Sequence, residues 1–157
     1  MATDLDNLLE RLTLMQKAVV PNSDAVPVSL YAQEGTPYWT NKIVSFTLQE
    51  DSEALQIITY TLEMLLVFDS VTSGFENEAE RKIHTWLPTV LLYFGQRRQL
   101  KRDDNDAPLT NLYPQGSLIT GGRADYNLQN TGIGTNQFGV SFTIDVPMYQ
   151  STDQLIY

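Results

Sequence analysis

Residues 53–69, EALQIITYTLEMLLVFD, form the longest regular apolar pattern in the chain, and they limit what the rest can build. Read as a strand, they send Leu55, Ile57, Thr59, Thr61 and Glu63 to one side and Gln56, Ile58, Tyr60, Leu62, Met64 and Leu66 to the other. Both sides carry bulk, which predicts a central strand with neighbours on each edge. Residues 62–66 taken alone would suit a helix equally well. At roughly 3.3 Å per residue the strand reaches roughly 45 Å, longer than most strands in small domains, so a bulge or a projecting arm is expected.

Residues 42–48, KIVSFTL, alternate Val44, Phe46 and Leu48 against Ile43, Ser45 and Thr47, a second strand. The polar link QEDSE is short enough for a hairpin, so the pattern over 42–69 predicts two antiparallel strands. Upstream, Thr3 can cap a helix over 3–19, with Asp4 and Asp6 in its first turn and Leu5, Leu8, Leu9, Leu12 and Met15 on one side. Pro21 and Pro27 end it and open an irregular stretch through Gly35 and Pro37. The aromatics Tyr31, Tyr38 and Trp39 in that stretch either cover a core edge or offer a platform to a ligand or protein.

After the hairpin the period changes to three or four, with Ala79, Ile83, Trp86, Leu87, Val90, Leu91 and Phe94 predicting a helix over 74–95 that Ser73 can cap. Pro88 either kinks this helix or breaks it into two. Two strands close the chain as a hairpin over 117–148, joined by QNTGIGTN. In the last of them Phe138, Val140, Phe142, Ile144 and Val146 face Gly139, Ser141, Thr143 and Asp145, one side buried and one wet. The order α, β, β, α, β, β over 1–157 predicts a single α+β domain, a mostly antiparallel sheet with a long hairpin and two to three helices on one face.

Composition argues about chemistry chiefly by exclusion. The chain has no cysteine, which removes disulfides and thiolate chemistry. His84 is the one histidine, so no two-histidine metal site can form. The run from Asp103 to Asp106 opens like a calcium loop, but Ala107 and Pro108 stand where the turn glycine belongs. Gly132, Gly134 and Gly139 have the wrong spacing for a dinucleotide fingerprint, and no serine sits in a G-x-S-x-G elbow. The expectation is a protein that is not an enzyme and has no cofactor. The N-terminus lacks the basic and apolar regions of a signal peptide, and no apolar run is long enough for a membrane span.

Nineteen acidic against ten basic side chains give a net charge of −9, which opposes any broad grip on DNA or anionic lipid. Against that background Arg97, Arg98, Lys101 and Arg102 stand out as a basic cluster. Such a cluster either compensates a helix end and pairs with the aspartates after it, or meets an acidic surface on a neighbouring copy. Ile58 and Tyr60 are further candidates for a subunit interface, since a strand too long for its sheet leaves edges and apolar side chains to cover.

The helix segment IHTWLPTVLLYFGQRRQL over 83–100 and the ending NQFGVSFTIDVPMY over 136–149, in this order of elements, resemble the phage tail terminator family of small tail-completion proteins. The resemblance implies a structural virion protein assembled in the host cytoplasm: a homo-hexameric ring that caps the tail tube and joins it to the neck or connector protein. Carboxylates lining its lumen would let DNA pass without sticking. Two other readings stand beside it, a different neck or head-tail adaptor ring and a monomeric binding module that presents the loop from Tyr31 to Trp39.

Overall fold

The computed structural model describes residues 3–25, 37–52, 55–70, 75–130 and 136–151. Helix α1 spans Asp4–Val19, and the short strand β1 spans Asp24–Ala25. Strands β2 (Tyr38–Glu50) and β3 (Leu55–Ser70) precede helix α2 (Phe75–Gln96), and β4 (Leu118–Asn130) and β5 (Asn136–Ser151) close the fold. This is an α+β fold, with β2 to β5 antiparallel in a sheet of order β1-β2-β3-β5-β4. The strand β1 was not foreseen; it pairs parallel with the first two residues of β2, Tyr38 and Trp39.

The helix α1 starts where its sequence dictates. Thr3 accepts a hydrogen bond from the Asp6 backbone at 3.1 Å, and the Asp6 carboxylate accepts one from the Thr3 backbone at 3.0 Å, a complete capping box. Those bonds from Thr3 hold the Asp6 carboxyl below the usual carboxylate range. Leu8, Leu12 and Met15 on the inner side are fully buried, and so is Gln16, which falls on the same stripe. Its side-chain amide meets that of Asn41 on β2 in two hydrogen bonds, 2.7 and 3.1 Å. A buried amide without such a partner would cost about 1–3 kcal/mol, so this pair sets how α1 lies on β2.

Strand β3 is central, as its two-sided bulk predicts, and pairs along its whole length with β5. The irregularity expected for a strand this long falls on its partner, as a bulge in β2 between Ile43 and Ser45. Opposed residues share a face, so the register puts Trp39, Leu66 and Val140 in one row, Met64 and Phe142 in the next, and Leu62 and Ile144 after that. Both helices pack their apolar residues into the single cluster these rows form. On α2, Ile83, Val90 and Phe94 are buried and Trp86 and Leu87 half-covered, as the periodicity predicts, but Leu91 is exposed.

Several boundaries differ from the sequence reading. Tyr38 and Trp39 do not belong to a loop: they open β2, and Trp39 lies fully buried against Phe142 with ring centroids 6.1 Å apart. They serve the core, and residues 31–36 of that segment lie outside the described residues. Helix α2 does not break at Pro88 but runs through it. Proline leaves the carbonyl of His84 without its helical donor, and both residues are exposed, where water can replace the bond. The Thr85 and Thr89 hydroxyls donate to the carbonyls of Arg81 and Thr85 on either side of that break. The Ser73 cap and the turn within QNTGIGTN fall largely outside the described residues.

Pro147, in the interior of β5, shows how the sheet changes partner along one strand. Pairing with β4 stops at Asp145, opposite Leu118. Beyond it the connection after α2 takes the place of β4: the Tyr113 N–H donates to the Pro147 carbonyl and the Tyr149 N–H to the Asn111 carbonyl. The missing N–H of Pro147 therefore points to this irregular side and costs no bond to β3. Leu100, Leu109 and Leu112 from the same connection cover the far end of the core beside Met148.

Candidate subunit interface

From Tyr38 to Asn41 strand β2 is buried, and from Lys42 to Glu50 every residue is exposed. Val44 and Leu48 are each 56 % exposed and Phe46 61 %, high values for side chains of this size. Phe46 stands opposite Tyr60 and Leu48 opposite Ile58, so both lie on the face that carries the helices. No described element covers them, because α1 crosses the sheet obliquely: Gln16 near its end is bonded to Asn41 on β2, whereas Asp4 at its start accepts a hydrogen bond from Asn111, whose carbonyl accepts from the Tyr149 N–H on β5. The outer edge is open as well, because β1 covers β2 only at Tyr38 and Trp39 and no other described strand pairs there. An open edge bearing these side chains, with the exposed Ile43 beside them, is a surface that other chains can bind.

The residues singled out from the sequence are placed differently. Ile58 is 8 % exposed, and Tyr60 is half-buried against the core, where burial pushes its phenol pKa up. Within one chain both face the protein's own interior, and the exposed apolar surface of the hairpin belongs to the opposing strand. A lysine at Ile58 would therefore test folding before it tested assembly.

The basic cluster stands at the end of α2, around an open cleft of about 600 Å³ lined by Arg97, Arg98, Lys101 and Arg102. Most of its charge is used within the chain. Arg97 donates to the Tyr93 carbonyl at the end of α2 and lies 4.1 Å from the Tyr93 ring, compensating the helix terminus. Arg98 donates to the Ser117 carbonyl at 3.0 Å. Arg102 forms a two-pronged pair with Asp106 at 2.7 and 2.9 Å, and its backbone N–H donates to the same carboxylate. Lys101 is the member with no hydrogen bond or ion pair to another described residue. The cluster and the acidic run after it thus brace the connection over 97–117, which also needs Gly116 at φ +79°, where a Cβ would lie 2.5 Å from the Arg98 carbonyl oxygen.

A pH dependence follows. Hydrogen bonds from the Arg102 side chain and backbone hold the Asp106 carboxyl far below the usual carboxylate range. A depressed carboxyl contributes stability above its ordinary pKa, near 4, and loses it as pH falls toward its folded value. Titrating the Asp106 side chain by NMR is expected to give a midpoint well under that of a free aspartate, with the protection of amides over 102–106, relative to their intrinsic exchange rates, falling in acid. A midpoint near 4 would mean that the clamp does not form.

The sequence missed Arg11, whose guanidinium donates to the Leu100 carbonyl at 2.7 Å and the Ala107 carbonyl at 2.8 Å. Nothing local signals a contact 89 residues away. Gln16 did leave a signal, as a polar residue one turn beyond Leu12 on the apolar stripe.

Among the described residues no group of three or more His, Asp or Glu side chains could hold a metal ion, and no helix is long and apolar enough to cross a membrane. His84 is exposed and meets Glu80 at 3.1 Å, and Glu80 also accepts from the Tyr126 hydroxyl at 2.9 Å, a surface arrangement on α2 and β4. Within the acidic run Asp103 accepts from the Asn105 backbone in a tight turn while Asp106 is held by Arg102, so two of its carboxylates have protein partners. No protein-family profile and no curated protein sequence matches this chain.

Proposed function

We propose that this chain is a structural ring protein of a phage tail, a terminator that caps the tail tube and joins it to the neck or connector while DNA passes through the lumen. The observation that carries the reading is the outer half of β2, an open edge with Val44, Phe46 and Leu48 uncovered. A surface of this kind calls for another chain, and copies of the same chain are its simplest source. About six copies are expected. The net charge of −9 suits a lumen that repels phosphates. Function is geometric: a stack of identical rings grows as long as each top repeats the surface that accepted it, and a related but altered ring ends it.

The test is co-assembly with purified tube protein. Tube protein alone is expected to grow over-long tubes, and adding this chain to give capped tubes that extend no further, with a ring visible by native mass spectrometry. Rings that leave tube length unchanged would move the assignment to a neck adaptor. A chain that stays monomeric and leaves tubes unaffected would end the phage reading.

A further inference from the structure

The sheet has a second open edge, and it complements the first. In the order β1-β2-β3-β5-β4, strand β4 is terminal, and no described strand pairs with its outer side. On the helix-bearing face β4 offers little bulk, because Gly122 stands opposite Phe142 and Ala124 opposite Val140. Gly122 has no alternative, since a Cβ there would lie 2.0 Å from the Ser141 carbonyl oxygen. The result is an apolar groove of about 370 Å³ between β4 and α2, walled by Leu87, Leu91, Ala124, Val140 and Phe142. One edge of the chain therefore carries large uncovered apolar side chains, and the other a groove floored by small residues.

From this we infer that β2 of one copy adds to the open edge of β4 of the next, with Phe46 and Leu48 seated in the groove beside α2. The inference rests on the ring reading and names the surfaces that close it. A rotation that builds a ring preserves strand direction and the side on which the helices lie. Within one chain β2 and β4 run antiparallel, since β2 and β4 are each one antiparallel step from β3 and β5, which are antiparallel to one another. The new ladder is therefore antiparallel too, and the helix-bearing faces stay aligned. Placing Phe46 opposite Ala124 of the neighbouring copy puts Leu48 opposite Gly122 and Thr47 opposite Arg123, large against small with no like charges facing. In a single chain Ala124 stands level with Trp39, through Val140 and Leu66, so successive copies shift along the strands by about seven residues, roughly 23 Å. Stagger of this kind is what a closed sheet contains.

Area argues for a ring over a lone pair. A ladder over residues 42–50 is roughly 30 Å long and a sheet about 10 Å thick, on the order of 300 Å² of edge. The exposed parts of Phe46, Leu48 and Val44 add on the order of 300 Å² more. The sum falls short of the roughly 800 Å² per partner of a stable binary complex. A closed ring gives every copy two such contacts, one through β2 and one through β4.

Complementation between two variants at exposed positions tests this. Phe46→Glu removes the projection and keeps the groove; Ala124→Glu spoils the groove and keeps the projection. Leu91→Glu, across the groove, is a second groove variant should Ala124→Glu fold poorly by circular dichroism. Each is expected to be monomeric where the parent chain forms rings, and an equimolar mixture at raised concentration to give one-to-one pairs that grow no further. The mixed pair has one intact contact and no second, an outcome that pairing of β2 with β2 does not produce. Rings that survive Ala124→Glu and Leu91→Glu but not Phe46→Glu would overturn the β4 contact and leave the ring reading standing. A parent chain that stays monomeric with and without tube protein would overturn both.

Discussion

Replacing Trp39 with alanine is expected to destabilise the fold by about 3–5 kcal/mol, measured by urea unfolding of the isolated chain. Trp39 is fully buried in the row of Leu66 and Val140 and touches the Phe142 ring. Its removal opens a cavity between α1 and the sheet that neighbours fixed on three strands cannot fill. Its indole N–H finds no hydrogen-bond partner among the described residues, so phenylalanine, which carries no polar atom, is expected to cost clearly less than alanine. A ligand platform predicts the reverse: stability hardly changed and binding lost. Unfolding curves for Trp39→Ala that overlay the parent would mean that the burial drawn for this residue is wrong.

Arg11→Ala is expected to cost about 2–3 kcal/mol and to loosen the whole connection after α2. Its guanidinium reaches two carbonyls, of Leu100 and Ala107, and hydrogen bonds from a charged donor contribute about 1.5–3 kcal/mol each before the partial exposure of the pair is counted. The Leu100 end matters more, because this residue is buried at φ 56°, a left-handed conformation that costs a leucine energy and persists only while its surroundings impose it. Arg11→Lys is expected to recover little, since an ammonium cannot span two acceptors as a planar fork does. Hydrogen exchange localises the effect: amides over 97–117 should exchange faster while those in β3 and β5 keep their protection. Uniform loss of protection would place Arg11 in the global core instead of at this clip.

Much of the fold was legible because its signals are local. The alternation in β3 and β5 and the three-to-four spacing in α1 and α2 follow from the geometry of one element, and the capping box at Thr3 and Asp6 closes within a single turn. The Arg102–Asp106 pair is of the same kind, four residues apart, so the helix-end reading of the basic cluster could be drawn from adjacency. Pro88 could not be decided that way. Whether a helix survives an internal proline depends on what its outer surface meets, and here it meets water.

Only the tertiary structure separated residues that look alike in sequence. Phe46 and Leu48 alternate on their strand as Leu62 and Met64 do on theirs, and they share the same face of the sheet, yet the first pair is exposed and the second fully buried. Alternation determines which side of a strand a residue occupies; the reach of the neighbouring layer determines whether that side is covered. Held to Asn41 on β2 through Gln16 and to Asn111 beside β5 through Asp4, α1 crosses the sheet obliquely and leaves the tip of β2 bare. That crossing lies in no single segment, and it leaves the apolar edge on which the proposed function rests.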